Sequence, residues 1–280
     1  MDRGFQHIRR CANLDPGDLQ AQVRVVAAEL RNGQRSGPLQ VSAWQQRLAK
    51  LSEQDRFDAI TELAKLGPAA AGVTPLFIEV LSKIFEPDAE SSDSQLQRPL
   101  LNRALKALHH LGSGSVTALL LGLDTTSEAV KTILLQALRK VLSPEQAKPE
   151  TIQVISRCLD SENSKTRYNA AELLRSLGPT AQSALPSLCF RLRDEDRNVR
   201  VTALLAIRKI GPNPNCLPML TRSLKDQDPL VRFWAAKITG QLGADAVEAR
   251  SALYRLLLDD DHQPRKAALA ALNKINRDLA

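Results

Sequence analysis

The sequence predicts an all-α protein built by stacking helix pairs, and three observations carry that prediction. Aromatic residues make up 4% of the 280 residues while hydrophobic residues make up 43%, so Leu and Ala dominate the apolar set. Alternating runs of Val, Ile, Thr and Tyr, the signature of strands, are missing. Most tellingly, one segment recurs at a fixed period: "DSENSKTRYNAAELLRSLG" from Asp160, "DEDRNVRVTALLAIRKIG" from Asp194, "DQDPLVRFWAAKITGQLG" from Asp226 and "DDDHQPRKAALAALNKIN" from Asp259. Their arginines Arg167, Arg200, Arg232 and Arg265 are spaced by 33, 32 and 33 residues, and each lies 11 residues before Gly178, Gly211, Gly243 or Asn276. Self-similarity at such a period means that each unit leaves an apolar face for its neighbours to cover.

From the N-terminus, "MDRGFQHIRRCANLDPG" carries charge without the apolar core of a signal peptide, and no run approaches the ~18 apolar residues of a membrane span. A soluble, cytoplasmic protein is expected. A helix over roughly residues 16–31 is expected to cap the stack, and "NGQRSGP" at 32–38 separates this segment, 1–38, from the repeats of 39–280. The template then recurs with rising fidelity in "DRFDAITELAKLG" at 55–67, "LLNRALKALHHLG" at 100–112 and "VKTILLQALRKVL" at 130–142, which makes seven copies. The polar, acidic "EPDAESSDSQLQ" at 86–97 reads as a loop inserted between the two helices of the second repeat.

Within each copy the apolar residues follow helical spacing, as Val199, Ala203, Ala206, Ile207 and Ile210 do. A terminal glycine supplies a left-handed C-cap. Another apolar segment precedes each copy, for example at 182–194, 218–226 and 250–260, so the unit is a pair of antiparallel helices joined by an Asp-containing turn. One elongated domain is expected.

The pattern from Asp194 to Gly211, D-x-D-x-x-V-R-x-x-A-x-x-A-I-x-x-I-G, resembles the short, bacterial HEAT-like variety of the HEAT-repeat family. The match is good over the last two thirds of the chain and looser over the first. The period is shorter than the roughly 40–47 residues usual for HEAT, but tetratricopeptide and ankyrin signatures are absent. The resemblance implies a right-handed α-α superhelix, a HEAT/armadillo-like solenoid of about seven helix pairs, whose second helices line a concave surface where ligands usually bind. It also implies that the in-register aspartates Asp160, Asp194, Asp226 and Asp259 and arginines Arg167, Arg200, Arg232 and Arg265 form a structural ladder. Each Asp is expected to cap a helix, and each Arg to bond the Asp of its own or the adjacent repeat.

Function is sought on the second helices, at the outward stripe defined by Thr202, Leu205 and Lys209. The equivalent positions are Asp58, Thr61, Lys65; Arg103, Lys106, His110; Ile133, Gln136, Lys140; Asn169, Glu172, Ser176; Trp234, Lys237, Gln241; and Ala267, Ala270, Lys274. Seven are basic (Lys65, Arg103, Lys106, Lys140, Lys209, Lys237 and Lys274) and two acidic, which concentrates much of the chain's formal +7 charge on one face. Trp234, one of two tryptophans, is expected to stand partly exposed there, while Phe233, at the position of Tyr168 and Val201, is expected to pack between adjacent repeats.

These features predict a non-catalytic scaffold or adaptor that offers a mildly basic concave face to an acidic protein segment, with Trp234 as the anchor. Nucleic-acid binding is the alternative, with Lys and Arg on phosphates and Trp234 stacked on a base. At the level of fold the chain also resembles the phycobilin lyase subunits and the alkylpurine DNA glycosylases, but Trp44 reads as part of an outer helix, which leaves no second concave tryptophan. The acidic side chains Glu86, Asp88, Glu90 and Asp93 of the inserted loop could fold over Arg103 and Lys106 and compete with an anionic partner. No catalytic constellation is found and no cofactor or metal is expected: His7, His109, His110 and His262 are scattered, Cys11, Cys158, Cys189 and Cys216 form no C-x-x-C pair, and phosphate-binding glycine motifs are absent.

Overall fold

A computed structural model describes residues 52–65, 67–85 and 94–279, and among these the regular structure is entirely helical. The chain divides into two compact units, Met1–Val141 and Leu142–Ala280. The expected capping helix, Trp44 and Cys11 lie outside the described residues, as does 86–93 of the acidic loop.

The first unit contains α1 (Glu53–Ala64), α2 (Thr74–Ile84), α3 (Ser94–Leu111), α4 (Val116–Thr125) and α5 (Glu128–Val141). Helix α2 packs against α1 and α4, helices α4 and α5 form a pair, and α1, α3 and α5 stack as successive second helices. Phe57 and Phe77, both fully buried, meet with ring centroids 5.6 Å apart, and Leu108, Leu111, Leu134 and Leu138 continue this core. Helix α3 begins at Ser94, so residues 94–97 of the expected loop are helical. Polar composition suits the first turn of a helix as well as it suits a loop and does not separate the two.

The second unit stacks four pairs: α6 (Pro149–Arg157) with α7 (Ser164–Leu177), α8 (Leu185–Phe190) with α9 (Arg197–Ile210), α10 (Leu217–Ser223) with α11 (Pro229–Gln241), and α12 (Arg250–Leu256) with α13 (His262–Leu279). The apolar positions of α9, Val199, Ala203, Ala206, Ile207 and Ile210, are all buried, at 5% exposure or less. The first helices α8, α10 and α12 are only six or seven residues long and are flanked by 3-10 turns. Pro186 and Pro218 in the first turns of α8 and α10 lack the N–H that an extended upstream helix would need. Gly178 ends α7 with φ +59°, a backbone state that disfavours a side chain, whereas α13 has Asn276 in place of that glycine and runs on to Leu279.

The turns differ in detail from the sequence reading. The N-caps of α7, α9 and α11 are Asn163, Asp196 and Asp228, whose side chains accept from the amides of Lys165, Asn198 and Leu230. Asp194, Asp226 and Asp259 sit two residues earlier, where each accepts from the amide of the second residue on, at 3.0, 2.9 and 2.9 Å, and so closes the turn rather than the helix. Their other partner is the arginine of the preceding repeat. Arg167 donates from Nε and Nη2 to both carboxylate oxygens of Asp194 at 2.8 and 2.7 Å, and from Nη1 to the carbonyls of Ser161 and Glu162 in its own turn. Arg200 donates from Nη2 to Asp226 Oδ1 at 3.1 Å, its Nε standing 2.9 Å from the other carboxylate oxygen, and from Nη1 to the carbonyls of Asp194 and Glu195, while Arg232 repeats the full pattern with Asp259 and the carbonyls of Asp226 and Gln227. Arg265 keeps the own-turn half, to the carbonyls of Asp259 and Asp260. Asp160 is exposed and meets Arg191 at 3.4 Å.

Second helices α11 and α13 approach closely at Gly240, where an added Cβ would fall 2.9 Å from Ala271 Cα. Three expectations follow. Removing Asp194, whose side chain is 1% exposed, strands a buried guanidinium, so Asp194→Ala is expected to lose about 3–5 kcal/mol in urea unfolding, against less than about 1 kcal/mol for the exposed Asp160→Ala. The Arg232 guanidinium holds the Asp259 carboxyl below its ordinary range, so its folded value lies beneath the unfolded one. The stability it contributes is present above about pH 4 and is lost as pH falls through the folded value, so Asp259→Asn should flatten the acid limb of a melting-temperature profile. Gly240→Val should lower stability by roughly 2–3 kcal/mol, since its branched side chain collides with backbone across the helix interface.

Candidate functional site

In the first unit the stripe positions are partly self-neutralised. Arg103 donates from Nη2 to Asp58 Oδ1 at 2.5 Å and to Thr61 Oγ1 at 3.2 Å, and its guanidinium carbon lies 5.1 Å from the centre of the Phe57 ring. Lys65 pairs with Glu62 at 2.6 Å on α1. Lys106, His110 and Lys140 are exposed, Gln136 is half-buried, and Thr61 and Ile133 are buried. On α7 of the second unit, Glu172 is buried and bonded by Arg175, Asn169 donates to the Lys165 carbonyl, and Ser176 donates to the Leu173 carbonyl.

Of the remaining stripe positions, Thr202 and Ala267 are buried, Leu205 and Lys274 half-buried, and Lys209, Lys237, Gln241 and Ala270 exposed. The stripe thus runs along a flank that neighbouring second helices partly cover. Short side chains there are closed over, while lysines extend their alkyl stems along the same flank and carry the ammonium group to water. The outward face expected from helical spacing is corrected to that extent, because spacing gives a direction but not the height of the neighbouring helix.

Trp234 on α11 is half-buried, and its surroundings are the most distinctive feature of this face. The Arg208 guanidinium, reaching from α9 in the preceding repeat, lies 4.7 Å from the indole centre. Lys237 Nζ, one turn along α11, stands 5.3 Å from the same ring and 5.2 Å from the ring of Phe233. Phe233 meets Trp234 edge-on, with centroids 5.0 Å apart and planes inclined at 68°. Phe233 is therefore half-buried beside Trp234 rather than sealed between repeats, and its counterpart Tyr168 is 38% exposed. Two rings hold two cations at cation–π distance, which fixes long side chains that would otherwise sample many rotamers.

Arg208 was absent from the sequence-derived stripe because the i, i+3, i+7 spacing on each helix passes over i+6. The useful signal lies across repeats: the position opposite the one tryptophan of this face carries the residue type that stacks best on an indole. What the cluster offers chemically is a rigid amphipathic ring flanked by Arg208 and Lys237, suited to a carboxylate-bearing chain that also presents apolar surface. Among the described residues no group of three or more His, Cys, Asp or Glu side chains is placed to hold a metal ion, and no helix is long and apolar enough to cross a membrane.

Comparison with known proteins places this geometry in context. Residues 185–273 match the family profile described as HEAT repeats. Among solved structures, a designed armadillo repeat protein in complex with the peptide (KR)4 superposes with a TM-score of 0.53 at 19% identity, covering 72% of this chain and 99% of the other. An engineered protein gives 0.53 at 19% identity over 95% of this chain and 72% of its own. The crystal structure of Cex1p gives 0.53 at 17% identity, with 90% of this chain spanning 56% of that one. A search of curated protein sequences finds no match. At these identities the likeness concerns fold alone, an all-α repeat superhelix, and within it residues 185–273 are similar to HEAT repeats.

Proposed function

We propose that this chain is a non-catalytic scaffold or adaptor that binds an acidic segment of a protein partner on the α9–α11 face, with Trp234 as anchor and Arg208, Lys209 and Lys237 as its charged surround. The observation that carries the reading is the half-buried indole held between Arg208 at 4.7 Å and Lys237 at 5.3 Å. A large, rigid ring with a polar edge, flanked by fixed cations, has the composition that dominates interface energies. Lys274 on α13 lengthens the basic surround within the same unit, and Lys106 and Lys140 give the first unit exposed basic positions of its own.

The fold supports the same class of function, since HEAT and armadillo repeats commonly serve as protein-binding scaffolds. The designed armadillo neighbour was solved with a basic peptide, (KR)4. The cations here select for the opposite charge, so the inferred ligand is acidic with apolar residues interspersed.

Titration with a fluorescein-labelled peptide of alternating Glu and Leu, monitored by anisotropy at low and moderate salt, tests this. Binding that weakens with salt and falls by roughly ten-fold or more in Trp234→Ala and in Lys237→Glu is expected. Equal affinity in wild type and both variants would refute the site. Tighter, equally variant-sensitive binding of a labelled single-stranded oligonucleotide would replace the protein partner by nucleic acid.

A further inference from the structure

Cys189 and Cys216 belong to neighbouring repeats of the second unit: Cys189 lies in α8, and Cys216 ends the 3-10 turn Pro214–Cys216 that leads into α10. The fold brings their sulfurs to 2.7 Å, with Cys189 donating to Cys216. That is only ~0.7 Å beyond the ~2.05 Å of a covalent S–S bond. Both residues are buried, at 6% and 1% exposure, and both thiols are free. Close packing of small apolar residues would fill this space as well; two sulfurs in direct contact add a chemistry that packing does not require.

We propose that Cys189 and Cys216 form a reversible disulfide that joins the two adjacent repeats carrying Arg208 and Trp234. The two sulfurs play unequal parts in the contact, Cys189 donating and Cys216 accepting. The hydrogen bond from Cys189, assisted by the backbone of Asn213, holds the Cys216 thiol down at about 7, while sharing its proton and being buried push Cys189 well above the ordinary thiol range. In the proposed step Cys216, the acceptor of this contact, is the nucleophile and Cys189 the resolving thiol.

With hydrogen peroxide as the two-electron oxidant, Cys216 sulfur attacks one peroxide oxygen; an S–O bond forms, the O–O bond breaks, and the departing hydroxide leaves as water with the Cys216 proton. Cys189 sulfur then attacks the sulfur of the resulting sulfenic acid. The S–S bond forms, the S–O bond breaks, and the second hydroxide takes up the Cys189 proton as a second water. Two thiols are oxidised, one peroxide is reduced to two waters, and reduction by an external dithiol reverses the step.

The bond would tie α8 to the turn before α10, so that the pairs α8/α9 and α10/α11 are joined through their first helices as well as through α9 and α11. The test is made on the purified full chain, reduced and then treated with stoichiometric hydrogen peroxide. Intact mass should fall by two hydrogens, peptide mapping should yield a Cys189–Cys216 linked pair, and the melting temperature should rise on the order of 5–10 °C, reversibly with dithiothreitol. Neither the mass loss nor the rise should occur in Cys189→Ala or Cys216→Ala. Retention of both thiols, as shown by alkylation after denaturation, would overturn the proposal. So would oxygen addition at either residue without a link, or a link to another cysteine. The wild-type mapping decides the matter even where a variant folds poorly.

Discussion

Arg167, Arg200 and Arg232 each divide their donors between two repeats, and the stacking of the second unit depends on this division. One edge of the guanidinium closes the turn of its own helix pair through two carbonyls, and the other grips the aspartate that closes the next turn. A lysine has no planar fork with which to do both. At one of the equivalent positions of the first unit Lys131 instead pairs with Glu128 on its own helix, at 2.8 Å. The apolar faces supply the bulk of the stacking energy, but apolar contact is tolerant of sliding, and a bidentate ion pair at 5% and 1% exposure is not. The ladder therefore sets the register in which the hydrophobic helices meet.

Much of this was legible in the sequence, for a specific reason. A repeat prints the same physical solution several times, so Asp194 and Arg200 could be recognised against Asp226 and Arg232 without any other chain for comparison. The buried set of α9 followed from helical spacing, and the C-terminal glycines followed from the left-handed conformation that a helix end needs. What resisted reading was whatever depends on distance between elements. Which aspartate caps and which closes the turn differs by two residues in a run such as Asp194, Glu195, Asp196, and both positions favour the same side chain. The start of α3 at Ser94 was hidden by polar composition. The Cys189–Cys216 contact has no sequence signature at all, since 27 residues separate two thiols that only the stacking brings together.

The candidate face shows the same division. Its basic character was countable from the chain, but the count treats every charge as available, and the structure removes several. Arg103 is engaged by Asp58 and Lys65 by Glu62, while Glu172 is buried against Arg175. What remains in the second unit is a smaller and better-defined set gathered around an aromatic pair, with Arg208 added from a position that single-helix spacing does not sample. Specificity at such a face rests on the fixed geometry of a few side chains more than on total charge.

The approach of Gly240 to Ala271 has a mechanical meaning as well as a steric one. Where backbones meet nearly in contact, as between α11 and α13, a small change in tilt drives atoms into each other, and the joint is stiff. Between α9 and α11 the exposed edge of the contact is instead lined by long side chains, with the Arg208 guanidinium 4.7 Å from the Trp234 ring. The second unit thus places a joint set by backbone contact beside one whose outer edge is set by stacked side chains, and the aromatic cluster proposed to meet a partner sits at the latter, where a side-chain substitution can reshape the binding face without touching the backbone contact.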